Sequence, residues 1–291
     1  MKDRGDSGSY SATVTNAVGS ITSGAASLTV VVPSKPRLSN LAIRTTLAAN
    51  ENVILGFTMS GGSKNVLLRA AGPGLGALGV PGTMADPRLA LYNSSTQVAM
   101  NDNWQGAAVV SAAISAVGAF AFPSASSLDA ALVANVEGGR TVQVSGPTAG
   151  NVIVEAYDAG TGDNPRFTNL AARNKVGTGV NILIAGFTLS GSGTRNLLIR
   201  AVGPKLTDFA VTGVLADPKL EIYSGSTKIA ENDNWSASLA STAASVGAFT
   251  LNPGSKHAAI TLDLPAGGYT VQVSGTDGGS GVALVEIYEL P

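Results

Sequence analysis

The chain contains the same order of motifs twice. The segment Asn-Asp-Asn-Trp at 101–104 returns at 232–235, and these two segments hold both tryptophans of the sequence. Leu-Arg-Ala-Ala-Gly-Pro at 68–73 returns as Ile-Arg-Ala-Val-Gly-Pro at 199–204. A repeat of this length indicates a duplicated domain, because solenoid units run only ~20–50 residues. The other matched segments are 40–42 with 169–171, 56–58 with 186–188, 85–87 with 216–218, 118–120 with 247–249, and 142–146 with 271–275.

Composition narrows the class of protein. The formal net charge is −1, and Lys and Arg are scattered singly, which predicts no nucleic-acid partner. No apolar run approaches the ~18–20 residues that a membrane-spanning helix needs, so we expect no membrane insertion. The chain has no cysteine, which excludes disulfides, thiolate metal sites and a cysteine nucleophile.

Short alternating segments separated by Gly and Pro predict an all-β fold. Thr141–Ser145 and Ile153–Tyr157 alternate apolar with polar residues, as half-buried strands do. The Ala- and Ser-rich segments 105–117 and 236–246 have helical spacing instead. We therefore expect two tandem antiparallel β-sandwiches of the jelly-roll type, each with one short helix, at 34–160 and 161–291. In the first repeat the strands are expected to centre on Leu41, Leu55, Leu67, Leu89, Val98, Phe120, Leu132, Val144 and Val154.

The first 33 residues are too few for a domain. Asp6, Gly8 and Tyr10, followed by a Thr-Val-Thr segment, resemble the tyrosine corner of an immunoglobulin-like domain, with Ala12 where the cysteine would stand. Residues 27–32 would form the last strand. Residues 1–33 are therefore expected to be the C-terminal hairpin of a truncated immunoglobulin-like domain. The start of the chain is not a signal peptide, so a secreted protein would be represented here without its leader.

The segment 264–275, Leu-Pro-Ala-Gly-Gly-Tyr-Thr-Val-Gln-Val-Ser-Gly, resembles bacterial pre-peptidase C-terminal domains. With the Arg-Ala-x-Gly-Pro and Asn-Asp-Asn-Trp segments, residues 37–291 resemble tandem C-terminal β-sandwich repeats of large secreted proteins from Verrucomicrobia-like bacteria. That resemblance implies an extracellular or cell-surface location and a supporting role, with no implied reaction.

The matched polar residues are the candidate site residues. Hard cations take clustered carboxylate, amide and backbone oxygens, so the two Asn-Asp-Asn loops are candidates for calcium, the one cofactor the sequence suggests. Alternatively, each Asn-Asp-Asn segment is a turn in which the side chains form hydrogen bonds with the backbone of the same turn. The calcium candidates are Asn101, Asp102 and Asn103, with Asn232, Asp233 and Asn234.

Trp104 and Trp235 are the candidate ligand-binding residues, because tryptophan can stack on sugars. The alternative is that both belong to the core. Arg69 and Arg200 lie in apolar strands, where a buried charge requires a partner. We expect each to pair with Glu155 or Glu286 of its own repeat, or with Asp86 or Asp217.

No pattern favours catalysis, and the sequence predicts a protein that is not an enzyme. His257 is the single histidine, and the first repeat has Asp129 in its place, so a serine triad is not expected. His257 is expected at the surface. The sequence favours a non-enzymatic structural, adhesion or spacer module whose partners are neighbouring domains, a polysaccharide or a cell-surface protein. The alternative is a pair of carbohydrate-binding modules accessory to a secreted hydrolase.

Overall fold

A computed structural model describes residues 7–29 and 35–291. The chain divides into two compact units, 1–35 and 36–291. In the first unit, β1 (Gly8–Tyr10) pairs with β4 (Ala26–Leu28), and β2 (Thr13–Asn16) pairs with β3 (Gly19–Thr22), both antiparallel. The side-chain oxygen of Asn16 accepts hydrogen bonds from Val18 N and Gly19 N, which closes the β2–β3 turn.

Where the sequence predicts an immunoglobulin-like hairpin, the structure has four short strands whose residues are all exposed, and the immunoglobulin-like assignment stays a prediction. The expected last strand at 27–32 continues beyond β4 into residues 30–32, which lie outside the described part. Asp6, on which the tyrosine-corner reading depends, also lies outside it.

The second unit is built almost entirely of antiparallel strands, which confirms the all-β prediction. The first repeat contributes β5 (Arg37–Leu47), β6 (Val53–Ala71), β7 (Arg88–Asn93), β8 (Thr96–Asn101), β9 (Ala130–Ser145) and β10 (Gly150–Asp158). The second repeat contributes β11 (Arg166–Val176), β12 (Leu183–Val202), β13 (Pro218–Ser224), β14 (Thr227–Asn232), β15 (Ala258–Gly275) and β16 (Gly281–Glu289).

The two repeats do not form two tandem sandwiches, and this part of the prediction is wrong. Six strands close a barrel in the order β5, β10, β6, β11, β16, β12 and back to β5, with three strands from each repeat. The remaining strands extend the sheet outward, as β9, β7 and β8 beyond β6 and as β15, β13 and β14 beyond β12.

The reason is that the first strand of each repeat pairs with the other repeat. Leu41 lies opposite Phe187 in the β5–β12 pair, and Leu170 lies opposite Phe57 in the β11–β6 pair. Segment 40–42 of the first repeat thus pairs with segment 186–188 of the second. Segment 169–171 of the second repeat pairs in the same way with segment 56–58 of the first. This exchange joins both repeats into one sheet and one hydrophobic core.

Several elements differ in length from the sequence-based expectation. Leu55 and Leu67 lie in the single bent strand β6, and Leu132 and Val144 lie in the single strand β9. Phe120, expected at the centre of a strand, lies in a loop. β6 and β9 are long because they pair with each other on both sides of a register shift between Met59 and Lys64.

The predicted helices are present near the expected positions. Helix α2 (Ala108–Val117) buries Val110 and Ile114 and ends at Gly118, whose φ of 69° is the left-handed conformation that glycine favours. Val109, on the same helix, is exposed. In the second repeat, α3 (Ala240–Ser245) follows a short 3-10 turn.

The Gly-Pro segments make a close backbone approach in both repeats. A Cβ on Gly72 would lie 2.1 Å from the carbonyl oxygen of Met84, and one on Gly203 would lie 1.9 Å from that of Leu215. The Gly- and Pro-rich sequence of residues 72–76 is typical of a turn. The structure has a short helix there, α1 (Pro73–Ala77), matched by a 3-10 helix at Pro204–Phe209. Among the described residues, no helix is long and apolar enough to span a membrane.

Candidate functional site

Arg69 and Glu155 face each other across the β6–β10 pair. The register places them directly opposite, with Arg69 Nη1 3.3 Å from Glu155 Oε2. Tyr157, two residues further along β10 and on the same face, donates a hydrogen bond of 2.6 Å to Glu155 Oε1. Arg69 is 0% exposed and Glu155 4% exposed, so the pair lies away from solvent.

The second repeat contains the same arrangement. Arg200 lies opposite Glu286 in the β12–β16 pair, with Nη2 2.9 Å from Oε2. Tyr288 donates a hydrogen bond of 2.8 Å to Glu286 Oε1. Each arginine therefore pairs with the glutamate of its own repeat. Asp86 and Asp217, the alternative partners, form no ion pair with either arginine in the described residues, and Asp217 pairs with Lys256 at 3.0 Å.

Phenylalanines cover the buried guanidinium groups. Arg69 Cζ lies 4.2 Å from the ring centroid of Phe120 and 4.5 Å from that of Phe122, and Arg200 Cζ lies 4.4 Å from that of Phe249. The carbonyl oxygens of Phe120 and Phe249 also accept hydrogen bonds of 2.8 Å from the arginines. The sequence analysis missed these residues, although their matched Gly-Ala-Phe segments marked the position.

Burial controls the protonation of the two clusters. It raises the pKa of the Glu155 carboxyl and of the Glu286 carboxyl, and the neighbouring arginine opposes this shift in each case. Burial and the adjacent glutamate raise the pKa of the Tyr157 and Tyr288 hydroxyls. The tyrosines are therefore neutral hydrogen-bond donors to the glutamates. The arginine and the glutamate of each cluster are buried, and Arg200 borders the small cavity next to Trp235.

The two Asn-Asp-Asn loops stabilise their own backbone. Asn101 Oδ1 accepts a hydrogen bond of 2.9 Å from Ala131 N, and Asn101 Nδ2 donates one of 3.0 Å to Asn103 O. Asn232 repeats both contacts, with Ala259 N at 2.9 Å and Asn234 O at 3.1 Å. Both side-chain amide atoms of the first asparagine in each loop are therefore already engaged in hydrogen bonds to the backbone.

The remaining calcium candidates lie nearer the surface. Asp102 and Asn103 are half-buried, whereas Asp233 and Asn234 are exposed. Within residues 7–29 and 35–291, no three or more Asp, Glu or His side chains cluster in a way that could hold a metal ion. The calcium hypothesis thus rests on one carboxylate in each loop.

The two tryptophans differ in exposure. Trp104 is 9% exposed, packs against Phe122 at a centroid distance of 5.2 Å, and donates a hydrogen bond of 3.0 Å to Ser124 O. Trp235 is half-buried and donates to Ser255 Oγ at 3.0 Å. It borders a small cavity with Leu239 and Ala243, and Ala243 takes the place of the larger Ile114 of the first repeat.

His257 is buried, so the expectation that it lies at the surface is wrong. It is 1% exposed, and burial, reinforced by the positive charges of Arg200 and Lys205, lowers its pKa to about 4. Its Nδ1 accepts a hydrogen bond of 3.4 Å from Gly203 N. The His257 side chain faces the Gly-Pro turn inside the fold. Its place just before a strand did not indicate this burial.

A second pair of buried charge clusters was also missed. Lys64 Nζ lies 2.8 Å from Asp158 Oδ2 and donates to the carbonyl oxygens of Gly162 and Pro165, each at 2.8 Å. In the second repeat, Glu289 Oε2 lies 2.8 Å from Arg166 Nε and 3.7 Å from Arg195 Nη2. Lys64 and Arg195 lie in the irregular middle of β6 and β12, where sequence periodicity gives no burial signal.

One open groove lies between the repeats. It has a volume of about 600 Å³ and lies near the ends of β5 and β11. Its walls combine polar with apolar groups, and Arg44 and Lys175 are its two cations. Thr46, Asn151 and Asn181 also line the groove.

Comparisons with known proteins do not assign the chain to a family. No family model matches it, and no curated protein matches it. Among solved structures, it is similar to a chain of the Sulfolobus turreted icosahedral virus, with 11% identity over 88% of this chain and 91% of that one, at a TM-score of 0.20. It is also similar to the 11S allergen of Cocos nucifera, with 7% identity over 89% of this chain and 88% of that one, at a TM-score of 0.17. TM-scores this low support no conclusion about fold or function.

Proposed function

We propose that this chain is a non-enzymatic structural module of a larger extracellular or cell-surface bacterial protein, with a role in adhesion or in tethering neighbouring domains. The observation that carries the proposal is that the matched charged residues are used internally. Arg69 with Glu155 and Arg200 with Glu286 are buried pairs between neighbouring strands. Charged side chains that pair with each other inside the fold are not presented to a substrate, which supports a structural role.

The ends of the second unit favour tethering over spacing. Leu38 N, at the start of β5, donates a hydrogen bond of 2.8 Å to Glu289 Oε1, at the end of β16. The first and last strands of this unit therefore begin and end at the same place. A spacer gains length only when its two ends lie far apart, so this geometry supports an attachment role instead.

A second candidate function is carbohydrate binding. Two separate observations favour it. The groove is lined by the polar side chains of Thr46, Asn151 and Asn181, and Trp235, which borders the small cavity outside the groove, is half-buried. Sugar-binding sites place polar groups beside an apolar or aromatic surface. Trp104 does not support this function, because its ring packs against Phe122.

A thermal-shift screen with bacterial and plant polysaccharides separates the two functions. A ligand that binds only the folded state stabilises it by a free energy of RT ln(1 + [L]/Kd) and therefore raises the melting temperature. For a structural module, we expect no polysaccharide to shift the wild-type melting temperature. A glycan that stabilises the wild type but not Trp235→Ala or Asn151→Ala would overturn the proposal and establish carbohydrate binding.

A further inference from the structure

The groove between the repeats lies where strand β5 extends beyond its neighbour β12. β5 continues to Leu47, whereas its pairing with β12 ends at the Arg44–Ile184 pair. The segment before β12 does not follow β5 but folds on itself, with a hydrogen bond of 2.8 Å from Gly177 N to Asn181 O. The sheet therefore opens at this point, and the opening forms the groove of about 600 Å³.

The fold leaves one matched pair of arginines without an internal partner. Three other sets of matched cations form ion pairs with carboxylates in both repeats, namely Arg37 with Arg166, Lys64 with Arg195, and Arg69 with Arg200. Arg44 and its counterpart Arg173 differ, because within residues 7–29 and 35–291 neither side chain forms an ion pair or a hydrogen bond. Arg44 is exposed at the groove, so its N–H donors are free to bind a group from outside the chain.

The groove combines cations from both repeats. Lys175, on β11, is exposed and lines the groove together with Arg44, and it too forms no ion pair in the described part of the chain. The one carboxylate among the lining residues is that of Glu51, whose Oε2 accepts a hydrogen bond of 2.9 Å from Ala48 N. The groove thus carries an excess of positive charge, and a concave surface of one sign attracts ligands of the opposite sign.

The neutral polar side chains of the groove are largely engaged already. Thr46 Oγ1 donates a hydrogen bond to Asn151 Oδ1, and Asn151 Nδ2 donates one of 2.8 Å to Pro81 O. Thr45 Oγ1 accepts one from Asn174 Nδ2. The free hydrogen-bonding groups are therefore mainly cationic donors, and carboxylates are the acceptors that such donors bind most strongly.

We propose that this groove binds an acidic peptide segment of a partner protein, with Arg44 and Lys175 contacting its carboxylates. Arginine can hold a carboxylate through two parallel N–H···O bonds. Val180, which is 90% exposed, lines the groove with Ile182 and Ile184 and offers apolar surface to the aliphatic parts of a peptide. The inference rests on the proposed tethering role, since a module that holds other domains needs a surface for a protein partner.

An acidic polysaccharide fits this groove less well. None of the lining residues, all of which belong to the described part of the chain, is aromatic, so sugar rings would find no surface on which to stack. The hydroxyl groups of a sugar would also meet few free partners, because Thr46 and Asn151 are bonded to each other.

NMR titration of the whole chain with capped hexaglutamate at low salt tests the proposal. We expect the amide signals of groove residues to shift, and to shift far less with capped hexaglutamine. Arg44→Gln and Lys175→Gln should each weaken binding about threefold or more, because each removes a charge that contacts the ligand. Arg173→Gln removes the same charge at the matched position outside the groove and should leave the Kd nearly unchanged. These side chains are free of internal contacts, so the remaining NMR signals should show unchanged folding.

Oligogalacturonate, which carries carboxylates on a sugar backbone, separates the two sources of negative charge. The proposal would be overturned by an absence of groove shifts with hexaglutamate, by equal losses in the Arg44, Lys175 and Arg173 variants, or by tighter binding of oligogalacturonate than of hexaglutamate. If neither ligand binds, this inference fails and the proposed structural function stands. Binding of the oligosaccharide alone would contradict both.

Discussion

His257 occupies in the second repeat the place that Asp129 holds in the first. Asp129 Oδ1 accepts hydrogen bonds from Gly72 N at 2.8 Å and Gly74 N at 3.0 Å, and His257 Nδ1 accepts one from Gly203 N. Both side chains thus anchor the Gly-Pro turn of their repeat. A carboxylate and a neutral imidazole can exchange here because the turn needs a buried acceptor, and both groups supply one.

The buried Arg69–Glu155 pair should be essential for stability. Arg69→Met leaves the Glu155 carboxylate buried without its cation, and we expect a loss of about 3–5 kcal/mol in the free energy of unfolding. Urea denaturation gives the value. Arg88→Met, at an exposed position, is the control and should change stability by no more than about 0.5 kcal/mol. Equal effects of the two substitutions would refute the structural role of the pair.

Replacing both partners should recover much of that loss. In Arg69→Met combined with Glu155→Leu, no unpaired charge stays buried, and Tyr157 loses only one hydrogen-bond acceptor. We expect the double variant to be more stable than Arg69→Met alone, because apolar replacement of a whole buried pair is often neutral. A double variant less stable than the single one would show that Glu155 is stabilised by other groups.

The single histidine allows a direct test of its surroundings. We expect an NMR titration of the His257 ring to give a pKa of about 4. The unfolded chain, with a pKa near 6.5, then binds the proton more tightly than the folded chain. His257 therefore contributes stability that is complete above about pH 6.5 and is lost as the pH falls towards 4.

The difference in unfolding free energy between the wild type and His257→Gln isolates this contribution from that of the buried glutamates. It should shrink on acidification across that range. A ring pKa near 6.5, or a difference that does not depend on pH, would contradict burial of the neutral imidazole.

Asp129 should be more important for folding than the aspartate of the nearby loop. Asp129→Ala leaves Gly72 N and Gly74 N buried without their acceptor, and we expect a cost of about 2–4 kcal/mol. Asp102→Ala removes a half-buried carboxylate with no such contact and should cost less than about 1 kcal/mol. Chemical denaturation of both variants measures the difference. The reverse order would mean that the Asp102 carboxylate has an important structural or metal-binding role.

Calcium should have little effect on the melting temperature. Each candidate loop offers one carboxylate, and its first asparagine already uses both amide atoms in backbone hydrogen bonds. We expect equal melting temperatures in millimolar calcium and in excess chelator. A calcium-dependent rise that disappears in Asp102→Ala or Asp233→Ala would instead establish the metal site.

Both repeats should unfold together. β5 and β11 each pair with the other repeat, and Phe57 packs on Phe167 across the junction at a centroid distance of 5.3 Å. We expect calorimetry of residues 36–291 to give one cooperative transition, with a calorimetric enthalpy equal to the van't Hoff enthalpy. Phe167→Ala should lower that single transition. Two separable transitions would show that each repeat is an independent domain.

The sequence alone contains the repeated order of motifs, and it predicted the β-rich character and a carboxylate partner for each buried arginine. Local alternation and turn residues are sufficient to predict strands such as Gly150–Asp158, because side-chain periodicity is a property of neighbouring residues. An arginine in an apolar strand required a carboxylate, and the matched positions narrowed the partner of Arg69 to Glu155 or Asp86, of which the structure has Glu155. The helix boundaries were recovered nearly as well, because Gly118 and Gly247 end the helical segments.

Only the tertiary structure decided which strands pair and which side chains are buried. The matched motifs 40–42 and 186–188 are compatible with two separate sandwiches or with crosswise exchange, because a strand's own sequence does not specify its partner. The same limitation explains His257 and Lys64, whose burial depends on turns brought together from distant parts of the chain. Long-range pairing of backbone groups, which sequence periodicity does not encode, converted two similar halves into one closed barrel.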